Sequence, residues 1–378
     1  MRTALVNLLL RALVKPVWRR SPSIELLRAR AATVDRYFGG TPPVEAGPPV
    51  RLTDVVGAAW IGPAAAVAER GAILYLHGGG FCVHLPATCH AFCADLAERT
   101  RLPVLLPDYR LAPEHPAPAA LDDCEVAYQH LLHGVPAARI AVVGDSAGGN
   151  LALALLQRCR RVGLPMPSCA VLLSPATDFS GEGWSMHFNE KRDVMFTHEA
   201  NRIVAGHYLK ELPGDDPQVS PLRGDWRGLP PLRFHVSSSE MLLDHSLRAV
   251  ERARLQGVDA EAKVWLDLPH VFPLFGMLPD AERCRAEIAQ FITSKLVMPT
   301  PAVPSVAAPE QAFPVPDGAP DAFCHRIDVN GNGQAGPSEP ASLPLRNDPL
   351  SIRGTGLSVV ADATRPALHT DNTHHGKP

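Results

Sequence analysis

The residues whose types and spacing best suit chemistry are Gly144-Asp145-Ser146-Ala147-Gly148. Val142 and Val143 lead in, and a leucine-rich stretch of helical period follows from Asn150. A chain that turns sharply from strand to helix needs small residues beside the turning point. Such a turn leaves the serine hydroxyl exposed at the carboxyl end of a sheet. The first amides of the following helix face the same place and could hold a developing oxyanion. Taken alone, the stretch also reads as a plain turn serine.

The rest of the sequence decides between these readings. "YLHGGGF", residues 75–81, sets three glycines after an apolar run. Backbone without Cβ atoms can approach a bound group closely, and an HGGG loop forms the other half of an oxyanion hole in acyl-transfer sites. On this reading Gly78 and Gly79 donate amides together with Ala147, and His77 fixes the loop. A nucleophilic serine also needs a base, and the base needs an orienting acid, in the chain order serine, acid, histidine. His270 follows the run "EAKVWLDL", where a triad histidine would be presented. Glu240 lies directly after "LRFHVSS" and is the favoured acid. Asp244, about one helical turn on, is the alternative and is better suited to bracing a neighbouring helix. Asp267 is too near His270 in sequence to be a comfortable partner.

Those residues need a frame. Apolar runs at 72–77, 104–109, 139–144, 169–175, 232–238 and 261–268 read as strands. Segments of helical period fall between or after them at 87–100, 120–133, 150–163, 245–257 and 280–296. Near-continuous apolar strands alternating with helices predict a mostly parallel, doubly wound α/β domain over 51–298. Residues 179–228 interrupt the rhythm, and a connection that long suits a lid. Residues 299–378 hold 13 of the chain's 38 prolines and two aromatics, Phe313 and Phe323, which predicts a disordered tail. At the other end, Leu5, Leu8, Leu9, Ala12 and Leu13 share one helical face. The expectation is a helix that packs this face on the protein's own surface; a peripheral lipid contact or a signal peptide is the alternative.

Composition excludes other classes. A net charge of -3 over 378 residues, with no basic cluster, argues against a nucleic-acid partner. Eight cysteines are too few for a disulfide framework, so a reducing, cytoplasmic setting is expected. Cys82, His84, Cys89, His90 and Cys93 lack the spacing of a closed zinc site. "DVNGNGQAGPSE", residues 328–339, matches a calcium-loop pattern from Asp328 to Glu339, but no helix can readily follow it in "PASLP". No metal or organic cofactor is called for. "DYRLAPEHPAPAALDD", residues 108–123, carries no nucleophile geometry and reads as a buried brace for the glycine loop.

Together, "HGGGF", "DYRLAPEHPAPAALDD", "GDSAGGN", "VSPL", "GLPPL" and "LPHVF" resemble the hormone-sensitive-lipase-like branch of the α/β-hydrolases. The resemblance runs to about Leu296. It implies an α/β-hydrolase core with a helical cap built from residues 1–50 and 179–228. It also implies hydrolysis of short- to medium-chain carboxylic esters through an acyl-serine. The acid's place 30 positions before the histidine points to Glu240, where most members carry aspartate. "FCVHLPATCH" departs from the family pattern after the aromatic, so His84 and Leu85 are expected to reshape the acyl pocket. An amide hydrolase with the same triad and a non-catalytic ligand receptor on the same fold are the competing readings. Oligomeric state and chain-length preference stay open.

Overall fold

The computed structural model describes residues 2–18, 23–39, 46–63, 70–296 and 357–360. Its strands are β1 (Ala46–Arg51), β2 (Gly57–Ile61), β3 (Ala72–Leu76), β4 (Val104–Asp108), β5 (Ile140–Asp145), β6 (Cys169–Leu173), β7 (Leu232–Ser237), β8 (Ala260–Trp265) and β9 (Leu357–Val360). They form one sheet in the order β1-β2-β4-β3-β5-β6-β7-β8-β9. Pairing is antiparallel at β1–β2 and β2–β4 and parallel from β4 to β9.

Every residue of the central strands β3, β5 and β6 is buried. Alternation of side chains along a strand sends Leu74 and Leu76 into one core layer and Ile73 and Tyr75 into the other. The first layer is covered by α5 (Ala119–Leu132), α6 (Ala147–Val162) and α9 (Leu243–Leu255). The second is covered by α4 (Pro86–Thr100) and α10 (Pro279–Lys295). Burial on both faces explains why these strands read as unbroken apolar runs; each fully buried leucine or phenylalanine contributes roughly 1.5–3 kcal/mol. The two helices within residues 179–228 are α7 (Trp184–Phe188) and α8 (His198–Leu209). Thr197 caps α8 by accepting the Ala200 N–H at 3.1 Å.

Three features differ from the sequence expectation. The segment 46–50, assigned to helical cap, belongs to β1. Its Pro48 and Pro49 lack N–H groups, and an edge strand tolerates that loss. Leu357–Val360, within the stretch expected to be disordered, pairs in parallel with β8, as its β-branched valines allow. The rest of 297–378, including the calcium-like segment 328–339, lies outside the described residues. The third difference concerns α1 (Arg2–Leu13). It packs through Val6 and Leu10, while Leu5, Leu8, Leu9 and Leu13 face outward. Polar side chains fix it that way round. Asn7 donates to the Asp267 carbonyl at 2.9 Å, and Arg11 donates to the Lys191 and Arg192 carbonyls at 3.0 Å each. Lys15, in α2 (Lys15–Trp18), which α3 (Ile24–Phe38) follows, donates to the carbonyls of Glu190 and Asp193.

Candidate active site

Ser146 stands between β5 and α6 at φ 52°, ψ -114°. That conformation is strained for a residue with a Cβ and is held by its surroundings. The Ser146 N–H donates to the Leu173 carbonyl at 2.8 Å. A side chain at Gly144 would strike the Gly148 backbone, and one at Gly148 would strike the Leu76 carbonyl. Close approach therefore requires glycine on both sides of the turn.

The loop after β8 brings His270 over this serine. Its Nε2 lies 2.9 Å from Ser146 Oγ, and its Nδ1 lies 2.6 Å from Glu240 Oε2. All three residues are buried. Burial works against the imidazolium, yet Glu240, helped by Asp193 and Asp145, outweighs it and holds the His270 pKa above its ordinary 6.5. Phe196 meets the imidazole edge-on with ring centroids 4.7 Å apart. The other Glu240 oxygen, Oε1, accepts from Ser237 N–H at 2.7 Å and Ser174 Oγ at 2.8 Å. Asp244 lies elsewhere: it accepts the Ser185 N–H at 2.7 Å at the start of α7. Asp267 pairs with Arg192 at 2.8 Å on the surface.

The glycine loop departs from the sequence expectation by one residue. Gly78 N–H donates to Asp145 Oδ1 at 2.8 Å, so it is not free to bind substrate. Tyr75 donates its hydroxyl to the same oxygen at 2.6 Å. Gly80, at φ +60°, instead lines the cleft above Ser146 beside Ala147. A Cβ there would lie 2.9 Å from Val204 Cγ2, so the loop and α8 meet too closely for a larger residue. His77 does fasten the loop. Its Nδ1 is 2.7 Å from the Gly78 carbonyl, and its ring is stacked between His84 at 4.0 Å and Tyr109 at 4.1 Å. Burial drives the His77 pKa down to about 3, so the ring is neutral. Segment 108–123 braces the loop. Tyr109 donates to the His77 carbonyl at 2.6 Å, Ala112 N–H donates to the Phe81 carbonyl at 2.9 Å, and Arg110 pairs with buried Asp123 at 2.7 Å.

The cleft is apolar and narrow, about 460 Å³ including its open mouth. Phe81, Phe179, Met186, Phe196, Val204 and Leu242 line it around Ser146. Phe81 lies flat against Tyr208, with centroids 3.6 Å apart. His84 and Leu85 are not among the lining residues. His84 is stacked behind the loop, and Leu85 packs into the core layer that holds Phe92, so neither touches the cleft. Cys82, Cys89 and Cys93 are buried free thiols; burial raises the Cys82 pKa to about 12.

Sequence reasoning missed the residues that hold the acid loop. Asn189 Nδ2 donates to the Ser238 carbonyl at 3.0 Å and to the Glu240 carbonyl at 2.8 Å. Asp193 accepts from the N–H groups of Met195 and Phe196 and, at 2.9 Å, from Met241 N–H. An Asn and an Asp within a long polar insertion give no signal by themselves. Only the folded chain sets them against Glu240.

A serine, a histidine and a carboxylate in one hydrogen-bonded line, beneath an apolar cleft, can carry out acyl transfer. Comparison with known proteins agrees. Residues 73–274 match the family described as alpha/beta hydrolase fold. An esterase of Acinetobacter venetianus is 38% identical over 290 residues, covering 76% of this chain and 94% of the relative. The chain belongs to the hormone-sensitive-lipase-like family of α/β-hydrolases. An acetyl-hydrolase of Streptomyces hygroscopicus is 34% identical over 281 residues, 73% of this chain and 92% of the relative. Among solved structures, an esterase from the bacterial hormone-sensitive lipase family superposes with a TM-score of 0.70 at 33% identity, covering 76% of this chain and 97% of that one. The protein is accordingly an ester hydrolase of the esterase/lipase class.

Proposed function

We propose that the protein is a serine carboxylesterase of short- to medium-chain esters, acting through an acyl-serine at Ser146. The observation that carries this reading is the unbroken line from Ser146 Oγ through His270 to Glu240 at the base of the apolar cleft. His270 Nε2 takes the hydroxyl proton as Ser146 Oγ attacks the ester carbonyl. The imidazolium that forms is stabilised by Glu240, whose bond to Nδ1 also fixes the tautomer. The tetrahedral oxyanion is held by the amides of Gly79, Gly80 and Ala147, since the Gly78 amide is occupied by Asp145. His270 then passes its proton to the leaving alcohol. A water, deprotonated by His270, attacks the acyl-serine, and collapse of the second tetrahedral intermediate releases the acid and restores Ser146. Each oxyanion donor of this kind is worth roughly 3–4 kcal/mol of the barrier. The preference for modest acyl chains rests on the closeness of the cleft walls, where Val204 meets Gly80 and Phe81 is backed by Tyr208.

The test is hydrolysis of p-nitrophenyl esters from acetate to palmitate by the wild type and by Ser146→Ala. Turnover should peak among the shorter chains, and kcat should fall on the order of 10⁴-fold or more in the variant. Undiminished hydrolysis by a folded Ser146→Ala protein would refute the assignment.

A further inference from the structure

The turn 189–193, which follows α7, has two sides. It is closed by its own backbone: the N–H groups of Arg192 and Asp193 donate to the Asn189 carbonyl at 2.9 and 2.7 Å. Two of its side chains face the acid loop. Asn189 Nδ2 donates to the Ser238 and Glu240 carbonyls, and Asp193 accepts the Met241 N–H, so the chain around Glu240 is tied to the turn. Its carbonyls face the N-terminal segment. Arg11 donates to those of Lys191 and Arg192, and Lys15 to that of Glu190 and, at 2.6 Å, to that of Asp193. Two cations thus take four consecutive carbonyls. Lys15 is only 8% exposed, and an ammonium buried to that degree persists where acceptors receive its protons. The same segment reaches the base. Asn7 donates to the Asp267 carbonyl at 2.9 Å, three residues before His270. Asp267 also pairs with Arg192 of the turn at 2.8 Å, and its N–H donates to Ser238 Oγ at 3.1 Å. The loops carrying Glu240 and His270 are therefore fastened to one N-terminal segment.

We propose that α1 and α2 form a strap that sets the acid loop against the base, with Lys15 as the positioning residue that holds Glu240 in register with His270. Lys15 touches no reacting atom and acts through the turn. The role rests on the triad reading of the proposed function. A misplacement of about 1 Å in a catalytic group can cost up to 10²-fold in rate, so a grip on the backbone behind Glu240 carries directly into turnover. It also carries into the pH profile, with a diagnostic sign. The carboxylates that favour the His270 imidazolium are Glu240, Asp193 and Asp145. Removing a cation would by itself favour the imidazolium further and move the acid limb of kcat/KM to higher pH. Loosening Glu240 weakens the strongest of those partners and moves the limb to lower pH.

The experiment is a double-mutant cycle on the full chain: wild type, Lys15→Met, Glu240→Gln and the two together. Each is assayed on p-nitrophenyl acetate across pH, after circular dichroism shows it folded at the assay temperature. Lys15→Met keeps the length of the stem and removes the donor. Its kcat should fall about tenfold with KM changed less than about twofold, and its acid limb should move to lower pH by about half a unit. In the Glu240→Gln background the same change should alter kcat less than about twofold, because the acid it positions is already lost. Should Lys15→Met not fold, Arg11→Met, at an exposed contact on the same turn, decides the matter with a fall of about threefold and the same direction of the limb. Wild-type kcat and limb in the decisive variant overturn the proposal while Glu240→Gln is impaired. An acid limb moved to higher pH overturns it, as does a rise in KM at unchanged kcat, which would make the segment a wall of the cleft. Equal losses in both backgrounds overturn it too, since they mean a general loss of structure. Should Glu240→Gln itself keep the wild-type kcat and limb, the triad reading fails and the strap's role falls with it.

Discussion

Glu240 and His270 form a buried pair, and the pH dependence of catalysis follows from them. On the proposed mechanism His270 must be neutral to accept the Ser146 proton. Because Glu240 holds the His270 pKa above 6.5, kcat/KM should fall as pH drops through a value above 6.5. Glu240→Gln removes the charge that favours the imidazolium. The acid limb should then move to lower pH while kcat falls by about 10³–10⁴-fold. Glu240→Asp keeps the charge and should keep the limb near its wild-type position at reduced rate. A pH profile of kcat/KM for the three proteins checks this, and an unmoved limb in the Gln variant would detach Glu240 from the base. At this scale motif and chain order singled out Ser146, His270 and Glu240 as candidates, and the fold sets the three side chains in hydrogen-bonding line. Sequence alone could not reveal which glycine amide is free. That depends on Asp145 reaching Gly78 across the sheet, a contact between residues 67 positions apart.

Two acidic side chains four positions apart serve different elements. Asp244 belongs to the start of α7, whereas Glu240 is gripped from the turn that follows it by Asn189. Asp244→Ala should cost stability, about 1 kcal/mol as for other lost helix caps, with kcat nearly unchanged. Asn189→Ala should instead remove the side-chain donor to the Ser238 carbonyl and one of the donors to the Glu240 carbonyl, and loosen the acid loop. A fall in kcat of between about 10-fold and 10²-fold is expected with a smaller change in KM. Urea unfolding and steady-state kinetics on the two variants separate the roles. Periodicity located α4, α5, α6, α9 and α10 within a few residues but gave no signal for α7 or α8 inside the insertion. It could not say which side of α1 faces in. An apolar stripe ordinarily packs inward, but here Asn7, Arg11 and neighbouring Lys15 find backbone carbonyls on the body of the protein and turn the leucines out.

Three buried histidines tie the stability of the whole molecule to pH. Burial lowers the pKa of His77 and His235 to about 3 and that of His245 to about 4. Their unfolded values lie near 6.5, so between about pH 6.5 and 4 the unfolded chain binds more protons than the folded one. These groups therefore stabilise the fold above 6.5, and their contribution is lost as pH falls. Each contributes at most about 1.4 kcal/mol per pH unit. His270, with its raised pKa, acts in the opposite sense at higher pH. Denaturant midpoints should drop steeply from pH 6.5 toward 4.5, and His235→Asn should flatten the slope by about one proton's worth. A flat midpoint over that range would contradict the burial of neutral imidazoles. Alternating apolar runs made the parallel core of the sheet legible. The edges were not: β1 carries two prolines, and β9 is four residues long within a proline-rich stretch.

The central claim is that Ser146 is the nucleophile. It is tested most directly by treating the full chain with a fluorophosphonate and locating the adduct by peptide mass spectrometry. The wild type should carry a single phosphonyl group on Ser146 and lose hydrolysis in step with labelling, while Ser146→Ala stays unlabelled. An adduct on another residue, or full inactivation with Ser146 unmodified, would contradict the account.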